Sequence, residues 1–286
     1  MIPNPKISVI TPSLNKGKYT QQAIESVIQQ RYRNVEHIIV DGGSTDETLD
    51  ILIKYKKYKH IKLYIEKNSN FIEALNTGVG IANGDIISIL NSDDYYEPRI
   101  FDRVVKIFNQ DAKIHVIVGN LNVVDAKGNI TRVSKPVTTL QKILQPWWYE
   151  FPLNPSSYFY KNVHNKLGLF NSSVGLNEDY EFLIRLAQQY SFVYVDQTFG
   201  NWRYYFDSKT YKNRANALND AIKVSKKFHG SFKDINFYWY RFSYLRYLIQ
   251  VKMIELFRGL INYTRKRVRL RTRIATIRRF MSRDFF

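Results

Sequence analysis

Within the first hundred residues, four short runs rich in β-branched side chains alternate with three longer stretches of helical period. The runs are 6–11 (KISVIT), 35–40 (VEHIIV), 61–65 (IKLYI) and 86–90 (IISIL); the stretches between them are 19–30, 46–57 and 71–82. Connections of that length suit parallel strands, which need a crossover, so the pattern predicts an α/β fold with a parallel sheet covered by helices. Ser44-Thr45-Asp46-Glu47 has the form of a capping box and is expected to open the second helix. Asp41-Gly42-Gly43 then falls on the turn just beyond the carboxyl end of the second strand, the edge of an open α/β sheet where ligands bind.

Later elements are fewer. A strand is expected at 115–119, followed by a Pro- and aromatic-rich stretch at 135–160 without clear period, a helix at 178–190 and a strand at 192–195. From about 213 onward the pattern is helical, which places a body at 1–212 and a second segment at 213–286.

Charge separates the two further. The chain carries 43 Lys and Arg against 25 Asp and Glu, and from Arg241 to Phe286 there are 13 basic residues against Glu255 and Asp284. Residues 237–247 hold seven aromatics, after which Leu270, Ile274, Ile277 and Met281 form a narrow apolar stripe among arginines. That composition suits a basic interfacial helix, although Arg265, Arg267, Arg269, Arg271 and Arg273 also alternate as a strand would. The expected partner of 241–286 is an anionic membrane surface, with a second subunit or packing on the body as other uses of the same residues. Charges at Arg246, Lys252, Glu255 and Arg258 exclude a membrane span there, and Met1-Ile2-Pro3-Asn4-Pro5 lacks the apolar core of a secretory signal. The expected location is cytoplasmic, peripheral on the inner face of the cell membrane. The absence of Cys excludes thiol catalysis, iron–sulfur clusters and thiolate zinc sites.

The candidate chemistry lies in acids at strand ends. There is no Walker-type phosphate loop, and the glycines at 78, 80 and 84 have the wrong spacing and place for a dinucleotide fingerprint. Asp41 follows the second strand, Asp93 and Asp94 follow the fourth, and Glu178-Asp179 come later. Adjacent carboxylates raise each other's pKa unless a cation separates them, and a hard divalent ion shared with substrate phosphates would resolve the conflict at 93–94. The five histidines show no paired metal-ligand spacing.

Five ordered motifs carry a family resemblance: Thr11-Pro12-Ser13-Leu14-Asn15; Val40-Asp41-Gly42-Gly43-Ser44-Thr45-Asp46; Ala74-Leu75-Asn76-Thr77-Gly78 with Ala82-Asn83-Gly84-Asp85; Leu90-Asn91-Ser92-Asp93-Asp94; and Asn177-Glu178-Asp179-Tyr180. Together they resemble the signatures of family 2 glycosyltransferases over about residues 6–208. The resemblance implies the GT-A fold, inversion at the anomeric centre and a nucleotide diphosphate sugar donor, most often UDP-linked. It implies that Thr11 and Asp41 hold the base, that Pro12 and Asn15 shape the loop and that Asn76 belongs to the donor site. Asp93 would bind the ribose or a metal-bound water, Asp94 would ligate Mn²⁺ or Mg²⁺, and Asp179 would be the general base. The acceptor is expected to be a glycan or a lipid-linked glycan.

One departure stands out. Relatives often carry Arg-x-His after the base, whereas Arg203 is followed by Tyr204 and Tyr205. Arg203 remains a candidate for phosphate contact, and Lys16 and Lys18 are expected to be solvated loop charges, with assistance to the donor diphosphate as their other use. Trp147, Trp148, Tyr149 and Tyr158 serve either as a platform for sugar rings or as core. Two rivals remain: a nucleic-acid-binding protein using the basic tail, which the motifs disfavour, and a sugar-nucleotide binder without turnover.

Overall fold

The computed structural model describes residues 4–145, 155–175 and 177–229, with single positions at 249 and 253. The sequence pattern holds through the first half. Strands β1 (Ile7–Ser13), β2 (Val35–Asp41), β3 (Ile61–Ile65) and β4 (Ile86–Ile89) alternate with helices α1 (Gly17–Ile28), α2 (Thr48–Tyr55) and α3 (Phe71–Ile81). The four strands pair in parallel in the order β3-β2-β1-β4.

Both faces of β1, β2 and β4 are buried, whereas β3 at the edge exposes Tyr64 and Ile65. Ile7 and Val9 enter one buried cluster and Ile10 another, while Ile38 and Val40 separate in the same way from Ile39. The inner strands therefore carry apolar side chains on both faces, as in residues 7–10 and 38–40, instead of alternating with polar ones. Gly78 lets α3 lie close on β1, because a Cβ there would collide with the Ile10 side chain. At the opposite end of these strands the buried Glu36 carboxylate is held by Lys6, Lys62, Ser8 and the Asn83 N–H. Burial works against its charge, but these bonds win and hold it at about 2.

The second half is mixed, not parallel. It comprises β5 (Tyr95–Tyr96), α4 (Ile100–Phe108), β6 (Val116–Val124), β7 (Ile130–Ser134), α5 (Leu140–Ile143), β8 (Ser157–Tyr160), α6 (Asn162–Leu167), α7 (Glu178–Gln189), β9 (Phe192–Arg203), α8 (Lys209–Lys212) and α9 (Arg214–His229). Strand β8 inserts antiparallel between β4 and β6, β9 runs parallel to β6, and β5 and β7 pair antiparallel with β9 and β6. Among the described residues this makes one nine-stranded sheet.

One expectation changes here and one open alternative is decided. The capping box at 44–47 does not form: α2 begins at Thr48, the Ser44 hydroxyl turns to Asp41, and Asp46 accepts the Thr48 N–H. A capping box does open α3, from Asn70 and Glu73. Tyr158 is fully buried among Tyr96, Phe101 and Phe199, so it is core.

Two compact units divide the chain, Met1–Ser231 and Phe232–Phe286. Helix α9, assigned by sequence to the tail segment, lies in the first unit: Ala221, Ile222 and Val224 are buried, and the Ser225 hydroxyl donates to the Leu144 carbonyl. Trp147, Trp148, Tyr149 and the basic tail at 241–286 lie outside the described residues, apart from positions 249 and 253. Among the described residues no helix is long and apolar enough to cross a membrane.

Candidate active site

The carboxyl ends of β1, β2 and β4 lie side by side, and β9 brings its own end to them through β5 and the turn after β4. The join is specific: the Arg203 N–H donates to Asp94 Oδ1 at 2.8 Å and the Arg203 guanidinium donates to the Asp93 carbonyl at 3.0 Å. A cleft of about 450 Å³ opens at this edge, lined by Pro12, Leu14, Asn70 and Phe71 and by Asp93, Glu178, Asp179 and Trp202, among others. Apolar surface and a few convergent polar groups are the usual make-up of a small-molecule site.

Asp93 and Asp94, adjacent in sequence, have different fates. Asp94 is 1% exposed and does not line the cleft. Its oxygens accept the Arg203 N–H and, at 3.0 Å, the Asn91 side-chain amide. Burial and then the charge of Asp93 push its carboxyl well above the ordinary range, which favours the neutral form.

Asp93 faces the cleft. Its Oδ2 accepts from Lys16 Nζ at 2.7 Å and from the Tyr205 hydroxyl at 3.0 Å, while Lys16 also donates to Tyr205 at 2.8 Å. Among the described residues Oδ1 has no partner. Burial lowers the Lys16 pKa, but Asp93 and Tyr205 raise it by more, so the ammonium stays charged. Tyr205, at the position where a His was expected, is a phenol pushed up to about 12 by burial and by Asp93. It is therefore a hydrogen-bond donor at neutral pH, not an anionic ligand.

The second acid pair opens α7. Glu178 is 3% exposed, with Oε2 buried and unpartnered among the described residues. Burial and then Asp179 push it up to about 7, and burial also raises Asp179. Asp179 Oδ1 accepts the Tyr180 N–H, and Lys209 at the start of α8 opposes both rises. Both acids lie in the first turn of a helix, whose N-terminal dipole favours negative charge.

Of the other expected site residues, Pro12 and Arg203 line the cleft, whereas Thr11, Asn15, Asp41 and Asn76 do not. Thr11 is buried with its hydroxyl 2.8 Å from His37 Nε2, and burial pushes His37 down to about 3, so that ring is neutral. Asp41 accepts from the Gly43 and Ser44 N–H groups and the Ser44 hydroxyl, fixing its own turn, where Gly43 adopts a φ of 91°. Asn76 pins the chain at Phe170 by two hydrogen bonds. Asn15, at a φ of 51°, accepts the Thr45 N–H and lines an adjoining cavity of about 350 Å³ together with Lys16, Lys18 and Tyr205. Arg203 lines the cleft, but its guanidinium is spent on the Asp93, Asp125 and Ala126 carbonyls and Gln22. Its place is that of a clamp on the 93–94 turn.

The sequence pattern favoured a solvated charge at Lys16 over a role at the diphosphate, and its pairing with Asp93 was not foreseen. The usable signal was its place directly after the β1 loop, as N-cap of α1, where the side chain starts at the ligand edge.

Residues 8–168 match glycosyl transferase family 2. The chain belongs to this family. A Rickettsia conorii protein described as an uncharacterized glycosyltransferase is 31% identical over 193 residues, covering 63% of this chain and 31% of that protein. The chondroitin synthase of Escherichia coli is 26% identical over 197 residues, covering 68% of this chain and 28% of the synthase. The chain thus spans less than two thirds of the length of these curated relatives. Among solved structures, S. aureus TarS 1–349 in complex with UDP superimposes with a TM-score of 0.59 at 21% identity, over 77% of this chain and 65% of that one. The Pyrobaculum calidifontis mannosyltransferase PcManGT, in complex with GDP-Man and Mn²⁺, gives 0.54 at 16% identity, over 81% and 77%. These likenesses establish the GT-A fold for the body.

Proposed function

We propose that this family 2 glycosyltransferase is inverting, taking a sugar from a nucleoside diphosphate donor, UDP-linked, to a hydroxyl of a glycan or lipid-linked acceptor. The observation that carries the reading is one cleft at the carboxyl edge of the sheet that is lined by both Asp93 and the Glu178-Asp179 pair. The UDP held by the TarS structure supports the choice of base.

In this reading Asp179 takes the proton of the acceptor hydroxyl as its oxygen bonds to the anomeric carbon. The bond from that carbon to the donor phosphate breaks on the opposite face, and the nucleoside diphosphate leaves with the electron pair. A base placed this way contributes typically 10²–10⁴-fold. Burial raises both acids, and in this reading Glu178, pushed up to about 7, carries the proton while Asp179 is the ionised member of the pair.

Among the described residues no three His, Asp or Glu side chains cluster as a ready-made metal cage. One open carboxylate oxygen, Asp93 Oδ1, does suit a hard ion that takes its remaining ligands from phosphate and water. Asp93, in place of Asp94, is therefore the residue that would hold Mn²⁺ or Mg²⁺, and the ion would neutralise the charge growing on the departing diphosphate. Asp94 and Arg203 hold the turn that presents Asp93. For residues 241–286 we propose contact with an anionic membrane, supported by 13 basic residues against two acids. That contact would keep the enzyme on the inner face of the membrane, close to a lipid-linked acceptor.

Calorimetric titration with UDP, GDP and dTDP, each with and without Mn²⁺, tests the reading. The expected result is UDP binding that Mn²⁺ strengthens; a protein that binds none of the three under either condition has no donor site here.

A further inference from the structure

Lys16 poses a problem for any cation on Asp93. Its ammonium already lies 2.7 Å from Oδ2 and is steadied by Tyr205, which bonds to both members of the pair. The side chains of Lys16 and Asp93 are only 23% and 14% exposed, so water screens this corner poorly. A divalent ion arriving alone would meet an ammonium across a single carboxylate, and like charges at such range repel strongly.

The backbone of Lys16 is fixed. Its N–H donates to Thr48 Oγ1 at 2.8 Å, and its carbonyl accepts from Tyr19 and Thr20 at the start of α1. The four-carbon stem is the part free to turn, and Lys16 lines both the main cleft and the adjoining cavity. A diphosphate entering the cleft would offer the ammonium a second anion.

We propose that Lys16 is the resting counter-ion of Asp93 and passes to the donor diphosphate as it enters, so that diphosphate and divalent ion bind together and the ion alone binds poorly. This rests on the reading of Asp93 as the cation-holding carboxylate. Lys16 is then a donor-binding residue, and Tyr205 sets how firmly the resting state is held. The coupling is reciprocal by thermodynamic necessity: whatever factor UDP adds to Mn²⁺ affinity, Mn²⁺ adds to UDP affinity.

Mn²⁺ alone, titrated into the full chain and followed by electron paramagnetic resonance, tests this without any turnover. Lys16→Met should bind Mn²⁺ alone at least about tenfold more tightly than the wild type, and Tyr205→Phe a few-fold more tightly. Asp93→Asn added to Lys16→Met should erase the gain. In calorimetry the mutual enhancement of UDP and Mn²⁺, expected to be about tenfold or more in the wild type, should shrink several-fold in Lys16→Met. Equal Mn²⁺ affinity in wild type and in a folded Lys16→Met, checked by circular dichroism, would overturn the proposal, and a Lys16→Met that only lowers Tm would make the pair structural. Tyr205→Phe keeps the test open if Lys16→Met fails to fold. Loss of all nucleotide binding in the wild type would instead count against the donor-site reading, because the Mn²⁺ comparison does not depend on it.

Discussion

Asp93-Asp94 and Glu178-Asp179 look alike in sequence, each a pair of neighbouring acids at the edge where ligands bind, yet the fold treats them in opposite ways. At 93–94 the chain turns between β4 and β5, and the two side chains diverge: one turns into the protein to meet the Arg203 N–H, and the other meets a lysine at the cleft. At 178–179 the chain is entering a helix, and both side chains line the cleft with Lys209 nearby. The first pair separates its charges by burial of one member and an ammonium on the other. In the second, burial raises both acids, and in the proposed reading Glu178 is the one that keeps a proton. Two solutions to the same repulsion would suit the two tasks proposed for them, holding a cation and taking a proton.

The comparison breaks most sharply at Asp179. Asp179→Asn should lower transfer by about 10²–10⁴-fold while UDP affinity changes by less than about threefold, because the proton moves only in the transition state. Initial rates beside calorimetry decide it. Equal loss of rate and donor affinity in a folded variant would place Asp179 in the donor site and remove the division of labour.

A smaller contrast is expected within the first pair. Asp93→Asn removes the charge that faces the cleft and should reduce the enhancement of UDP binding by Mn²⁺ about 10-fold or more. Asp94→Asn resembles the neutral acid that burial already favours there. It should leave UDP affinity within about threefold of wild type and cost about 1–2 kcal/mol of stability, through one mismatched hydrogen bond to Arg203 or Asn91. Denaturant melts and UDP titrations of both variants check this, and a reversed ranking would return the ion to Asp94.

How far this was legible follows the range of the interactions. Strands β1 to β4 and their helices are spelled out by local periodicity, so their positions agree with the pattern to within two or three residues. Strand β8 was not visible, since Ser157–Tyr160 is a four-residue run inside an aromatic stretch and its pairing with β4 and β6 is wholly non-local. The acids of the site were visible as types, but their orientation was not. That Asp94 turns inward depends on Arg203, 109 residues away, and that Lys16 meets Asp93 spans 77. The capping box at 44–47 failed for a related reason: Asp41 offered the Ser44 hydroxyl a buried carboxylate, which outweighed a helix start.

The smallest effect sharpens the second pair. Glu178 is raised from an ordinary 4.5 to about 7 in the folded protein, so the native state binds more protons than the unfolded chain between those values. Stability is then greatest below about pH 4.5 as far as this group is concerned, and declines as pH rises toward 7 and beyond. Glu178→Gln mimics the protonated acid and carries no charge to ionise. It should match the wild type at pH 5 and exceed it at pH 8 by about 1–3 kcal/mol, the order expected for a shift of this size. Chemical denaturation at the two pH values measures the difference. A variant that loses stability equally at both would show that Oε2 has a partner only a carboxylic acid can satisfy, and that Glu178 is held for packing instead of for keeping Asp179 the charged member of the pair.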